Sequence, residues 1–115
     1  MINGDCLFCR IAKGEVPADV VLERDGVVAF RDINPQAPTH VLVIPAEHLA
    51  SLEMLADHHA PLLASLVSAV NEVARNEGVA GGFRVVTNVG RSAGQSVDHL
   101  HFHVLGGRPM RWPPG

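Results

Sequence analysis

Tyrosine is absent from this chain of 115 residues, and only 4% of it is aromatic. Charge is sparse as well: 18% of residues are charged, and the formal net charge is −3. A nucleic-acid coat protein wants a basic face, which that balance does not supply. No apolar run approaches the roughly 18–20 residues of a membrane span. The segment from Met1 to Cys9 has neither the basic start nor the long apolar stretch of a secretory leader. Neither nucleic acid nor a membrane is therefore an expected partner, and the expected setting is cytoplasmic. Cysteine is scarce too. The two present, Cys6 and Cys9, stand three positions apart, which makes no disulfide scaffold. They pose a local question instead, metal or redox.

What is present is apolar residue and histidine. Hydrophobic residues make up 47% of the chain, enough for one core at this length. A single domain over residues 1–115 is expected, with 106–115 as a tail whose prolines discourage regular structure. Cys6–Lys13 reads as a short helix closed by Gly14. Val20–Arg24 and Val27–Arg31 read as strands joined at Asp25-Gly26, a pair suited to the positive φ angles of a type I′ hairpin turn. Thr39–Ile44 is a third strand, stopped by Pro45. Leu62, Leu63, Leu66, Val67, Val70, Val73 and Ala74 recur at helical spacing, with Asp57 as a candidate N-cap and Gly78 just past the end. Phe83–Asn88 and His99–Leu105 complete the set. The order of elements predicts an α+β fold, with an antiparallel sheet of about five strands, one long helix and one short one.

Histidine appears seven times, and three copies alternate strictly in His99-Leu100-His101-Phe102-His103. Side chains of a strand point to opposite faces in turn, so the three imidazoles share one face, about 6.5 Å apart at successive Cα atoms. Leu100, Phe102 and Val104 take the other, toward the core. Imidazole titrates near neutrality, so one ring can attack phosphorus while another carries a proton. A polar strand face without function is the plain alternative. A metal site made from all three is another, but parallel rings along a strand converge poorly on a tetrahedral ion.

With hydrophobic residues in between, His99, His101 and His103 resemble the signature of the histidine triad (HIT) superfamily. The likeness extends to the block Asp32-Ile33-Asn34-Pro35-Gln36-Ala37-Pro38-Thr39-His40, to Gln95-Ser96-Val97, and to the ending Gly106-Gly107-Arg108 with Trp112-Pro113-Pro114-Gly115. These resemble the Hint branch and span nearly the whole chain. The resemblance implies a HIT-like fold whose sheet continues across a homodimer. It implies a purine nucleoside phosphoramidase, which hydrolyses the P–N bond of a substrate such as adenosine 5′-phosphoramidate. His101 matches the nucleophile, His103 a proton donor beside the leaving group, and His40 a histidine bonded into the triad. Asp32 matches a ribose-binding carboxylate, Ile33 a residue packed on the base, and Asn88 a phosphate-side residue. Gln95 and Ser96 are expected to bind phosphate oxygens, with Phe8 and Ile11 as candidates to complete the base pocket. Trp112 is expected to reach the partner's site. Asp98 departs from the family, standing where relatives commonly carry an apolar or aromatic residue.

Cys6 and Cys9 have the spacing of half a zinc site. A redox motif has the same spacing but wants a βαβ context, which the strand order lacks. Relatives with this pair complete a structural zinc with residues that map onto His48 and His99, so a Cys6, Cys9, His48, His99 set is implied. No catalytic metal is expected. Two other classes of function remain open: a module that binds a purine nucleotide or a protein with little turnover, and a metal-handling protein.

Overall fold

The chain wraps one sheet between two unequal helices. The computed structural model describes residues 6–115; the first five, part of the expected leaderless start, lie outside the described residues. The elements run α1 (Leu7–Ala12), β1 (Val20–Arg24), β2 (Val27–Arg31), β3 (Thr39–Pro45), α2 (Ala60–Asn76), β4 (Phe83–Val86) and β5 (Phe102–Gly106). All pairings are antiparallel, in the order β1-β2-β3-β5-β4, which leaves β1 and β4 at the edges. No described helix is long and apolar enough to cross a membrane.

Local chemistry sets most of these boundaries. Asp25 and Gly26 both adopt positive φ, +54° and +75°, so the hairpin turn forms at the dipeptide expected to allow it. At the end of α2, Gly78 sits at φ +76°. Its N–H bonds the Arg75 carbonyl while the Val79 N–H reaches back to Ala74, the paired closure of a Schellman motif. In α1 the Cys6 thiol caps the helix, accepting the Cys9 N–H at 3.4 Å.

Three boundaries differ from the sequence reading by two residues or more. Asp57 is not the cap of α2: a 3₁₀ turn over Asp57–His59 feeds the helix, and the ring of His59 accepts the Ala56 N–H. Pro61 removes one of the first-turn donors that a cap would have served. β4 ends at Val86, two residues before Asn88. β5 begins at Phe102 rather than His99, because the backbone before it is engaged elsewhere. The Leu100 N–H bonds the Leu49 carbonyl, and the His101 carbonyl accepts the Thr87 hydroxyl. Side chains nonetheless keep alternating through 99–105.

That alternation separates two cores. Leu66, Ala69, Val70 and Val73 of α2 pack with Val27, Ala29, Val41, Val43, Leu100 and Val104 on one face of the sheet. On the other, Phe8, Cys9 and Ile11 of α1 pack with Val28, Phe30, Leu42 and Ile44. Leu63 and Val67, expected in the helix's buried stripe, are instead 41% and 51% exposed, Val67 facing edge strand β4 and Leu63 lying beside the 55–60 segment.

Candidate active site

The face of the sheet away from α2 carries the chemistry. A cleft of about 750 Å³ opens there, within the usual size of a small-molecule site. Leu7, Phe8 and Ile11 of α1 form one wall, with Val16, Pro17 and Ala18 beside them. Asp32 and Ile33 stand at the end of β2, and Ser96, Val97, His101 and His103 lie opposite. Phe8 and Ile11 thus serve both the core and the cleft. Ile33 is fully exposed at the rim. Arg31 is the one cation among the described lining residues, and its guanidinium is engaged by Glu77 and Asp19. An anion in this cleft therefore meets imidazoles before any free positive charge.

The hydrogen-bond network assigns each triad ring its tautomer. A carbonyl can only accept, so a ring nitrogen bonded to one must carry the proton. The Nδ1–H of His101 donates to the carbonyl of His99 at 2.6 Å, which leaves Nε2 with a lone pair in the neutral ring. His99 donates Nε2–H to the carbonyl of Pro45 at 2.8 Å, and its free Nδ1 turns toward Cys6 and Cys9. His40 accepts the Gln36 N–H on Nδ1, so its proton lies on Nε2, 2.9 Å from Nδ1 of His103. His103 consequently holds its own proton on Nε2. Burial pushes His103 down to about 4, with His101 and His40 adding to the effect and Asp32 opposing it. His40 and His99 are lowered as well, chiefly by burial.

Asp32, His40 and His103 bring one ligand atom each within 4.8 Å of one another. Their tautomers favour a proton over an ion. A cation here needs lone pairs on both facing nitrogens, yet the Gln36 N–H occupies Nδ1 of His40 and holds the proton at Nε2. The second cluster is different. Cys6 Sγ lies 3.3 Å from Nδ1 of His99, and Cys9 Sγ lies 3.2 Å from Nδ1 of His48 and 3.5 Å from that of His99. A tetrahedral zinc with bonds of about 2.3 Å to sulfur and about 2.0 Å to nitrogen sets S···N edges near 3.5 Å. The donor set therefore fits such an ion, with the Pro45 carbonyl fixing the tautomer of His99 from behind. Burial and the neighbouring Cys6 push the Cys9 thiol up to about 11. Two thiols and two imidazole nitrogens gathered at these distances, with no βαβ unit around the pair, suit a metal better than a redox couple.

Other expected residues fall less neatly. Gln95 is buried and its carboxamide is fully used: Oε1 accepts the Gly90 N–H, and Nε2 donates to the carbonyls of Ala50 and Val97. In this arrangement the side chain braces the 90–97 loop. Asn88 follows β4 and does not line the cleft. Trp112 is 82% exposed and stands outside the cleft of its own chain. Asp98 meets Arg91 at 3.3 Å on the surface, where both side chains are about 70% exposed (70% and 69%). Sequence reasoning missed Gln36, Pro45 and Thr87, because all three act through backbone groups or a lone hydroxyl. It also missed Val16–Ala18 as a wall.

The HIT domain family matches residues 13–110. The chain belongs to the HIT family. Among its relatives, the 14 kDa zinc-binding protein of Zea mays is 50% identical over 111 residues, covering 95% of this chain and 87% of that protein. Adenylylsulfatase HINT1 of Arabidopsis thaliana is 46% identical over 111 residues, covering 95% of this chain and 76% of that protein. The crystal structure of a HIT family hydrolase from Legionella pneumophila is 50% identical, with a TM-score of 0.94 over 96% of this chain and 100% of that one.

Proposed function

We propose that this protein is a nucleotide hydrolase that cleaves the P–N bond of purine nucleoside 5′-phosphoramidates, adenosine 5′-phosphoramidate among them. The observation that carries this reading is the state of His101: it lines the cleft with Nδ1–H committed to the His99 carbonyl and Nε2 left nucleophilic. Nε2 attacks the α-phosphorus, and a nucleotidyl-histidine forms as the P–N bond breaks. The substrate's phosphate and the Asp32 carboxylate both favour one extra proton on Nδ1 of His103, which the Nε2–H of His40 vacates by turning to the Asp32 oxygen 3.5 Å away. The Nε2 proton of His103 then passes to the departing nitrogen, and the pair returns to neutral. Such general-acid help is worth about 10²–10⁴-fold. Water then attacks the phosphorus and gives its proton to Nε2 of His103, which restores that ring as the P–Nε2 bond to His101 breaks and the monophosphate leaves, so one difficult displacement becomes two easier ones. Asp32 holds the ribose hydroxyls, Ile33 and Phe8 flank the base, and Ser96 with the backbone N–H groups of Ser96 and Val97 meets the phosphate.

A zinc ion at Cys6, Cys9, His48 and His99 completes the reading. It is a closed, structural site that supplies cross-linking and no hydrolytic step. Both cysteines are free thiols, which suits a reducing cytoplasmic setting. A second copy of the chain covers edge strand β4, where Val85 is 42% exposed beside the apolar flank of α2. The sheet then runs on across the homodimer, and Trp112 reaches the partner's cleft. The same two steps would act on a sulfate leaving group, which the name of the Arabidopsis relative favours as a second substrate.

The test is direct. Adenosine 5′-phosphoramidate and adenylyl sulfate are incubated with the protein, and monophosphate release is followed while an acid-labile adduct is trapped. Wild-type protein should turn over the phosphoramidate and carry the adduct on His101. Equal rates from His101→Ala protein would remove the nucleophile from the scheme.

A further inference from the structure

The metal cluster and the nucleoside cleft share one short helix. From α1, Cys6 and Cys9 face His48 and His99, while Leu7, Phe8 and Ile11 form the cleft wall. Six residues are far too few for a helix to hold itself together in water. What fixes α1 is its packing and the four-residue cluster at its N-terminal end.

A second link runs through His99. Its ring is held between the two thiols and the Pro45 carbonyl, and its own carbonyl, two residues before the nucleophile, fixes the ring of His101. Phe8 joins both links. Its ring stands edge-on at 5.2 Å from His101, 6.0 Å from His99 and 5.4 Å from Phe30. Any shift of α1 or of the His99 ring therefore moves the base pocket and the nucleophile together.

We infer that the Cys6–Cys9–His48–His99 centre is a positioning device for the cleft, so that a bound ion tightens the grip on the nucleotide and a bound nucleotide tightens the grip on the ion. The inference rests on the zinc and nucleotide readings above. A zinc that merely stabilised the fold would raise the melting temperature and leave nucleotide affinity alone. Coupling through a shared helix must instead be reciprocal, with one factor appearing in both affinities.

The experiment compares zinc-loaded and chelator-stripped protein by titration with AMP, and follows zinc loss to a competing chelator with and without saturating AMP. We expect AMP to bind roughly tenfold more tightly to the loaded form, and AMP to strengthen zinc retention by the same factor. His48→Asn protein, altered outside α1 and outside the cleft, should show a raised KM with a smaller change in kcat. If stripping unfolds the chain, the zinc-retention arm on loaded protein decides alone. Equal AMP affinity in folded loaded and stripped protein overturns the inference, as does zinc loss that AMP does not slow. Loaded protein that neither binds AMP nor hydrolyses the phosphoramidate overturns the nucleotide reading itself, and protein that takes up no zinc overturns the metal reading; either result removes the coupling with it.

Discussion

The two faces of the sheet are buried to a similar depth by opposite means. Under α2 the buried groups are almost all aliphatic: Leu66, Val73, Val41, Val43, Leu100 and Val104 are each at most 1% exposed. That face gains from removing carbon from water, and no individual partner matters to it. Across the sheet, His99, His101 and His40 are 0%, 5% and 6% exposed, in a layer shared with Phe8 and Leu42. A polar group so placed costs stability unless each nitrogen finds a partner. Here every ring nitrogen but Nε2 of His101, which opens on the cleft, is bonded, and no fully buried side-chain nitrogen or oxygen among the described residues lacks a partner. The lesson is one of tolerance. The aliphatic face will accept changes of shape at a graded cost, whereas a change on the histidine face alters which atom carries a proton.

The sharpest way to break this contrast is to remove one side chain from each face. His101→Ala should cut phosphoramidate turnover by about 10⁴-fold, or about 5.5 kcal/mol of transition-state stabilisation, while the protein stays folded by circular dichroism. Leu66→Ala should do the reverse. It should lower unfolding free energy by about 2–5 kcal/mol in a denaturant titration, with kcat per folded molecule close to wild type. Comparable losses of turnover in both variants would dissolve the distinction between the faces.

The contrast also explains which parts of the molecule were legible in the sequence. Asp25-Gly26, the spacing of α2 around Leu66 and the alternation from His99 to His103 are signals carried by adjacent residues, and each appears as expected. The placement of Leu63 and Val67 depended on how wide a stripe the sheet covers, which no local spacing records. The late start of β5 depended on Leu49 and Thr87, far away in the chain. Gln95 had the right chemistry for a phosphate ligand, but Gly90, Ala50 and Val97 were already waiting for it. Tautomers were the least legible of all. They are fixed by the carbonyls of His99 and Pro45 and the N–H of Gln36, and backbone groups leave no residue-type signature.

Acid should separate the faces again, with a smaller effect. An unfolded histidine titrates near 6.5, whereas burial holds His103 at about 4 and lowers His40. Between those values the unfolded chain binds protons that the folded one refuses, so stability rises with pH there. It should be complete above pH 6.5 and fall as the pH drops toward 4, by about 1–3 kcal/mol for a partly screened ring. Melting temperatures at pH 7 and pH 5 measure this. His103→Asn should flatten the slope, while Leu66→Ala should shift the whole curve and keep its shape.

The smallest effect is expected at the rim of the aliphatic face, where polarity returns without the discipline of the histidines. Arg24 of β1 donates from Nε and Nη2 to one oxygen of Glu72 on α2, at 2.9 and 2.7 Å. Both side chains remain 32% exposed, and Arg24 also reaches Asp25 and Ser68. Solvent screens the pair and the neighbours can replace a lost partner, so Glu72→Ala should cost only about 0.2–1 kcal/mol and less at high salt. A double-mutant cycle with Arg24→Ala isolates the pair from the packing of the arginine stem. A coupling well above that range would show that charge holds α2 to the sheet, and the aliphatic face would then owe its stability to specific partners after all.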